Sequence, residues 1–165
     1  MPLKTPLTAP VSVPESVPIP HPHRPLREQS GDVLLAMCIF GEARGEPEEA
    51  RLAVGHVVRN RVRSPHQRYG RGWHGVMLKK WQFSCFLPGD PNLAKLLHPV
   101  EHEPAEVWER CWRAANCVYA GAAADNSGGA THYFDDSLRG CPPLWAARYV
   151  RTVKLGRLHF FRAPE

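Results

Sequence analysis

The string Ile39-Phe40-Gly41-Glu42-Ala43-Arg44-Gly45-Glu46-Pro47 holds the carboxyl group best placed for chemistry. On a helical reading, Glu42 lies three residues after Ile39, four after Cys38 and seven after Leu35, so it emerges from an apolar stripe rather than a solvated face. A carboxyl group there loses hydration, and desolvation favours its neutral form. A glutamic acid kept protonated near neutral pH can deliver a proton to a leaving oxygen. The same position also suits a carboxylate paired with Arg44, Arg59 or Arg61. Glu46, held between Gly45 and Pro47, is the natural second carboxyl, but it stands at a helix start, where capping or ion pairing fits it better.

Two other patterns invite a metal and carry little weight. His98-Pro99-Val100-Glu101-His102 formally fits H-x-x-E-H, which works only when both histidines share a helix face. Pro99 inside it and Pro104 after it interrupt that helix. The five cysteines, Cys38, Cys85, Cys111, Cys117 and Cys141, are odd in number and form no C-x-x-C pair, which argues against a zinc ribbon. Cys38, Cys111 and Cys117 read as buried apolar fillers, and a disulfide through Cys85 or Cys141 is left open. No metal and no cofactor are expected.

The elements that must position these groups follow from periodicity. A first helix is expected from about Ser30 to Arg44, capped by Ser30 or Asp32 and stopped by a left-handed Gly45. A second begins at Pro47, with Glu48 and Glu49 at the positive end of its dipole and Ala50, Ala53, Val54, Val57, Val58 and Val62 on one face. Residues 64–75 read as a loop followed by a short helical turn at 76–80, and residues 88–104, with their prolines, as a second loop. A third long helix fits 104–121 and ends at Gly121. Its Trp108 and Trp112, like Trp81 before it, read as core. Then come a turn cluster at 125–129, a strand at 131–134, and a hairpin of Val150 to Leu155 and Leu158 to Phe161 around Gly156-Arg157. The fold class expected is α+β, a mainly helical body with a small C-terminal β-sheet.

Of the 17 prolines in 165 residues, eight fall within the first 25, so residues 1–29 read as a proline-rich disordered arm and 30–165 as one compact domain. The arm has no apolar run of signal-peptide type. The longest apolar run, Val33 to Phe40, is too short to span a membrane. The net charge of +5 is unevenly spread. Residues 51–89 contain no acid, and neither do residues 137–164, while both stretches are rich in arginine and lysine. Such a field draws polyanions, either an anionic cell envelope or nucleic acid, without choosing between them. No named nucleic-acid motif accompanies it, so a basic nucleic-acid-binding module is the weaker alternative of a different class.

The string from Gly41 to Pro47, with Val58-Arg59-Asn60-Arg61-Val62 after it, resembles the opening of the catalytic domain of the cell-wall hydrolases that include the spore cortex-lytic enzymes. Gln82-Phe83-Ser84, then Gly129-Ala130-Thr131-His132-Tyr133, Trp145 and His159-Phe160-Phe161, continue the likeness in order over about residues 33–162. Departures are Cys85, where many relatives carry Trp, and Phe134-Asp135-Asp136, which lacks a close match.

The resemblance implies a domain similar to goose-type lysozymes and lytic transglycosylases, cutting peptidoglycan between N-acetylmuramic acid and N-acetylglucosamine with Glu42 as catalytic acid. In such a transglycosylase the sugar's own 6-hydroxyl is the nucleophile, so one carboxyl group suffices; hydrolysis by water in the same site is the alternative. Tyr133 and Phe83 then suit stacking on sugars, and Gln82, Ser84, Thr131 and His132 suit hydrogen bonding to them, with Glu46 in support. The partner is peptidoglycan within an anionic envelope, no nucleic acid is expected, and the enzyme is expected to act as a monomer at the cell wall. A compact basic chain with no visible signal suits a phage endolysin released from the host cytoplasm through a holin lesion.

Overall fold

The structure, a computed structural model, describes residues 16–164. Its centre is helix α1, Gly31–Ala43, in which every residue from Val33 to Phe40 is buried. A helix apolar on all sides must be surrounded. It is wrapped by α2, Glu48–Val62, by α3, Gly72–Met77, by α4, Pro91–Leu97, and by α6, Ala105–Tyr119, with the single turn α5, Pro99–His102, leading into α6. Phe40 meets Trp108 edge to face at 5.9 Å between ring centroids. Close approach has its own requirement at Gly55, where an added Cβ would come within 3.1 Å of Val118 on α6.

Three antiparallel strands follow, β1 at His132–Asp135, β2 at Val150–Leu155 and β3 at Leu158–Arg162, in the order β1-β3-β2. Tyr133 pairs with Phe160, and a bulge at Thr152 interrupts the β2–β3 register. The central strand is buried from Leu158 to Phe161. Leu158 and Phe160 face the helical core, while His159 and Phe161 lie under Phe134, whose ring stacks on both at 4.9 and 5.4 Å.

The α+β architecture and the hairpin match the sequence reading, with Gly156 at φ +56° in the turn. Other expectations need correction. Gly45 is not left-handed; α1 ends through Arg44 in ordinary helical geometry, and the Ser30 side chain makes no cap. Gly121, at φ +73°, does end α6. Residues 88–104 are not a loop, because Pro91 and Pro99 each open a short helix, where a missing N–H costs nothing. Trp108 is core, but Trp112 is only half-buried and Trp81 is 73% exposed at a positive φ. Cys117 and Cys141 are exposed, Cys38, Cys85 and Cys111 are buried, and all five thiols are free, so the disulfide left open does not form.

The expected arm lies partly outside the described residues, at 1–15. From residue 16 onward it is packed on the body. Pro20 is buried, Val17 and Leu26 touch the core, and Trp108 Nε1 donates to the Pro18 carbonyl at 2.9 Å. Gln29, 5% exposed, anchors this segment: its amide donates to the carbonyls of His21 and Arg24, and its Oε1 accepts from the His21 amide. Extended proline-rich chain carries carbonyls and apolar rings that a helical body can satisfy and cover, so the boundary does not fall at Ser30.

Candidate active site

Glu42 lies on the last turn of α1, half-buried, at the floor of a cleft of about 400 Å³ between the helical body and the sheet. The cleft is lined also by Glu46, Tyr133, Asp135, Leu138 and Trp145. The Tyr133 hydroxyl, from β1, donates to Glu42 Oε2 at 2.7 Å. The Cys85 thiol, from the turn Ser84–Phe86, donates to the same carboxyl group. Burial pushes the Glu42 carboxyl above its ordinary range, and the Tyr133 and Cys85 donors and the Arg61 charge offset this only in part. Burial likewise drives Tyr133 and Cys85 far up, with the nearby glutamate adding to both, so each remains a neutral donor.

The three arginines named as alternative partners of Glu42 are committed elsewhere. Arg44 bridges to Glu103 at 3.2 Å, and Arg59 donates to the Val118 carbonyl. Arg61 is buried and donates to the Thr131 carbonyl at 2.7 Å and to Gln82 Oε1 at 3.1 Å. Its guanidinium also lies over the rings of Tyr69 and Phe83 at 5.4 and 5.2 Å. Arg61 thus ties three separated strings of the sequence together without forming an ion pair with the acid.

The remaining carboxyl groups of the cleft accept backbone amides. Glu46 Oε2 takes the Arg157 amide at 3.1 Å, across the β2–β3 turn. Asp135 Oδ1 takes the Ser137 amide at 2.8 Å as well as the Ser137 hydroxyl, and these donors hold it below the usual carboxylate range. The cleft therefore contains one carboxyl group biased towards the protonated form and one biased towards the ionised form.

The other residues singled out in the sequence are spread over two layers. Tyr133 is in the cleft, but its ring packs against Phe160 and its hydroxyl is engaged by Glu42, so it orients the acid instead of offering a stacking face. Phe83 is 4% exposed and belongs to the core, which withdraws it as a sugar platform. Thr131 is buried, with Oγ1 3.0 Å from His132 Nδ1. His132 stands in a nest of Tyr69, Trp145 and Tyr149, at 5.8, 4.9 and 4.6 Å between centroids. Ser84 is exposed and Gln82 half-buried, outside the cleft lining. Leu138 and Trp145 were not foreseen as cleft walls; each sits in a short 3-10 turn, Asp136–Leu138 and Leu144–Ala147, and Trp145 packs into the aromatic cluster of His132, Phe134, Tyr149 and Phe161. Among the described residues no group of three His, Cys, Asp or Glu side chains could hold a metal, and His98 merely precedes the one-turn helix that contains Glu101 and His102.

Comparison with known proteins places the family and the fold. Two spore cortex-lytic enzymes, from Halalkalibacterium halodurans and Bacillus subtilis, are each 28% identical over 120 residues, 73% of this chain. The chain spans about a third of their length, 32% and 34%. The crystal structure of the catalytic domain of the Bacillus cereus SleB protein superposes with a TM-score of 0.59 at 25% identity, covering 80% of this chain and 90% of that one. The catalytic domain of the germination-specific lytic transglycosylase SleB from Bacillus anthracis shares the fold, with a TM-score of 0.59 at 24% identity over 81% and 95% of the two chains. A family model described as Cell Wall Hydrolase matches residues 45–161, starting just past Glu42. The match takes in more than two thirds of the sequence, and the chain belongs to the cell wall hydrolase family.

Proposed function

We propose that this chain cleaves the glycan strand of peptidoglycan after N-acetylmuramic acid as a lytic transglycosylase, with residues from 16 onward acting as one catalytic unit. The observation that carries the reading is Glu42, an acid held towards its protonated form by burial at the floor of an open cleft and oriented by the Tyr133 hydroxyl. In the first half of the reaction Glu42 protonates the glycosidic oxygen as the bond to C1 breaks. The carboxylate so formed then takes the proton of the 6-hydroxyl as that oxygen bonds to C1, closing a 1,6-anhydro ring and regenerating the acid. One carboxyl group suffices because the nucleophile belongs to the substrate.

Asp135 accepts the Ser137 hydroxyl and amide, which weakens it as a base for activating water, and Glu46 Oε2 is occupied by the Arg157 amide. Hydrolysis by water remains a distinct second reading because Asp135 is held ionised in the same cleft. Mass spectrometry of muropeptides released from sacculi separates the two. Transglycosylation gives 1,6-anhydro-muropeptides, lost in E42Q and retained in E46Q and D135N. Reducing-end products, lost equally in D135N and E42Q, assign the site to hydrolysis, and no released glycan from the wild type overturns both readings.

A further inference from the structure

We propose that the hollow beyond Trp145, walled by Arg68, Trp145, Arg148 and Tyr149, binds the carboxylates of the peptide stem carried by the glycan strand. The inference rests on the reading of the Glu42 cleft as the glycan site. Trp145 lines both the cleft and this second hollow of about 650 Å³, so a ligand leaving the cleft past that ring enters it directly.

The charge of the hollow comes from a sequence feature that the catalytic cleft leaves unused. The two acid-free stretches, residues 51–89 and 137–164, converge here, and each contributes one exposed arginine, Arg68 and Arg148. Among the described residues neither is in an ion pair, whereas Arg44, Arg113 and Lys154 are. Arg68 lies over the Tyr69 ring at 5.6 Å, which braces it without neutralising it. Behind the wall, His132 is pushed down to about 4, first by burial and then by Arg61 and Arg68, so at neutral pH the positive charge is that of the guanidinium groups alone. Planar, forked guanidinium groups match carboxylates, and the aromatic walls suit the flat amides and short alkyl groups between them.

Chemistry selects the stem peptide over other anions. The peptide is attached to muramic acid, the sugar whose bond is cut, so on a strand held at Glu42 it departs from the cleft itself. Glu46 and Asp135 line that cleft and repel carboxylates, whereas the hollow that shares Trp145 with it presents Arg68 and Arg148.

The test is capture of the full chain carrying E42Q, which does not degrade its ligand, on bead-tethered glycan strands that bear uncrosslinked stem peptides and on the same strands stripped by an amidase. Peptide-bearing strands are expected to bind roughly five- to tenfold more tightly, with the advantage shrinking at high salt. Adding R68Q and R148Q should make the two kinds of strand bind alike, and R68K with R148K should recover part of the difference. Equal binding of both strands, an equal loss on both in the glutamine variant, or arginine-dependent binding to duplex DNA or phosphate polymers tighter than to peptide-bearing strands would each overturn the proposal. Turnover is not measured, so a failure here is distinct from a failure of the transglycosylase reading.

Discussion

At Glu42 the proton is retained by burial, and two neutral donors limit how strongly. E42Q should lower wall lysis by roughly 10²- to 10⁴-fold, the usual worth of a general acid, with an unchanged circular dichroism spectrum. The sign of the stability effect follows from the raised carboxyl. A group whose folded pKa lies above its unfolded value contributes stability that is present below the unfolded pKa and lost as pH rises through the folded one. E42Q should therefore melt above the wild type at pH 8, with the gap closing by pH 4. In Y133F the missing hydroxyl removes a donor that favours the ionised form. Activity should then persist to higher pH on its alkaline side, while kcat falls about tenfold as the carboxyl loses its orientation. The apolar residues three, four and seven positions before Glu42 made its burial readable in the sequence. Its donors were not, since Tyr133 lies 91 residues away and Cys85 reaches it only through a one-turn helix.

Among the elements, Arg61 joins α2, the edge of β1 and the Gln82 turn, and it does so from inside the protein. R61M keeps most of the volume but leaves the Thr131 carbonyl without its donor. The expected cost is about 2–4 kcal/mol, measured as a lower urea midpoint with an unchanged slope. Periodicity made α2 and α6 legible, a continuous apolar run did so for α1, and the flanking Gly156 did the same for the hairpin. The two helices of residues 91–102 were not, because proline is a helix breaker in the interior and a helix starter at the first turn, and only the fold decides which. The resemblance implies a sugar platform at Phe83, and only the fold shows its ring covered by the Arg61 guanidinium in the core.

On the scale of the whole molecule, the segment before α1 is part of the folded unit. Deleting residues 1–28 should lower the thermal midpoint by about 5–10 °C, since it strips partners from Gln29 and Trp108 and uncovers apolar surface, together about 2–3 kcal/mol. Composition alone could not show this, because proline-rich chain looks the same whether or not a body lies beneath it. The distribution of thiols has a practical consequence. Cys117 and Cys141 are open to a chromogenic disulfide reagent, while Cys38, Cys85 and Cys111 are enclosed, with burial holding their thiols well above the ordinary range. Titration of the native protein should thus give two fast equivalents, and the remaining three should appear only at the speed at which molecules open. The chain carries its own stopwatch for opening, with one hand, Cys85, set beside the carboxyl group at the floor of the cleft.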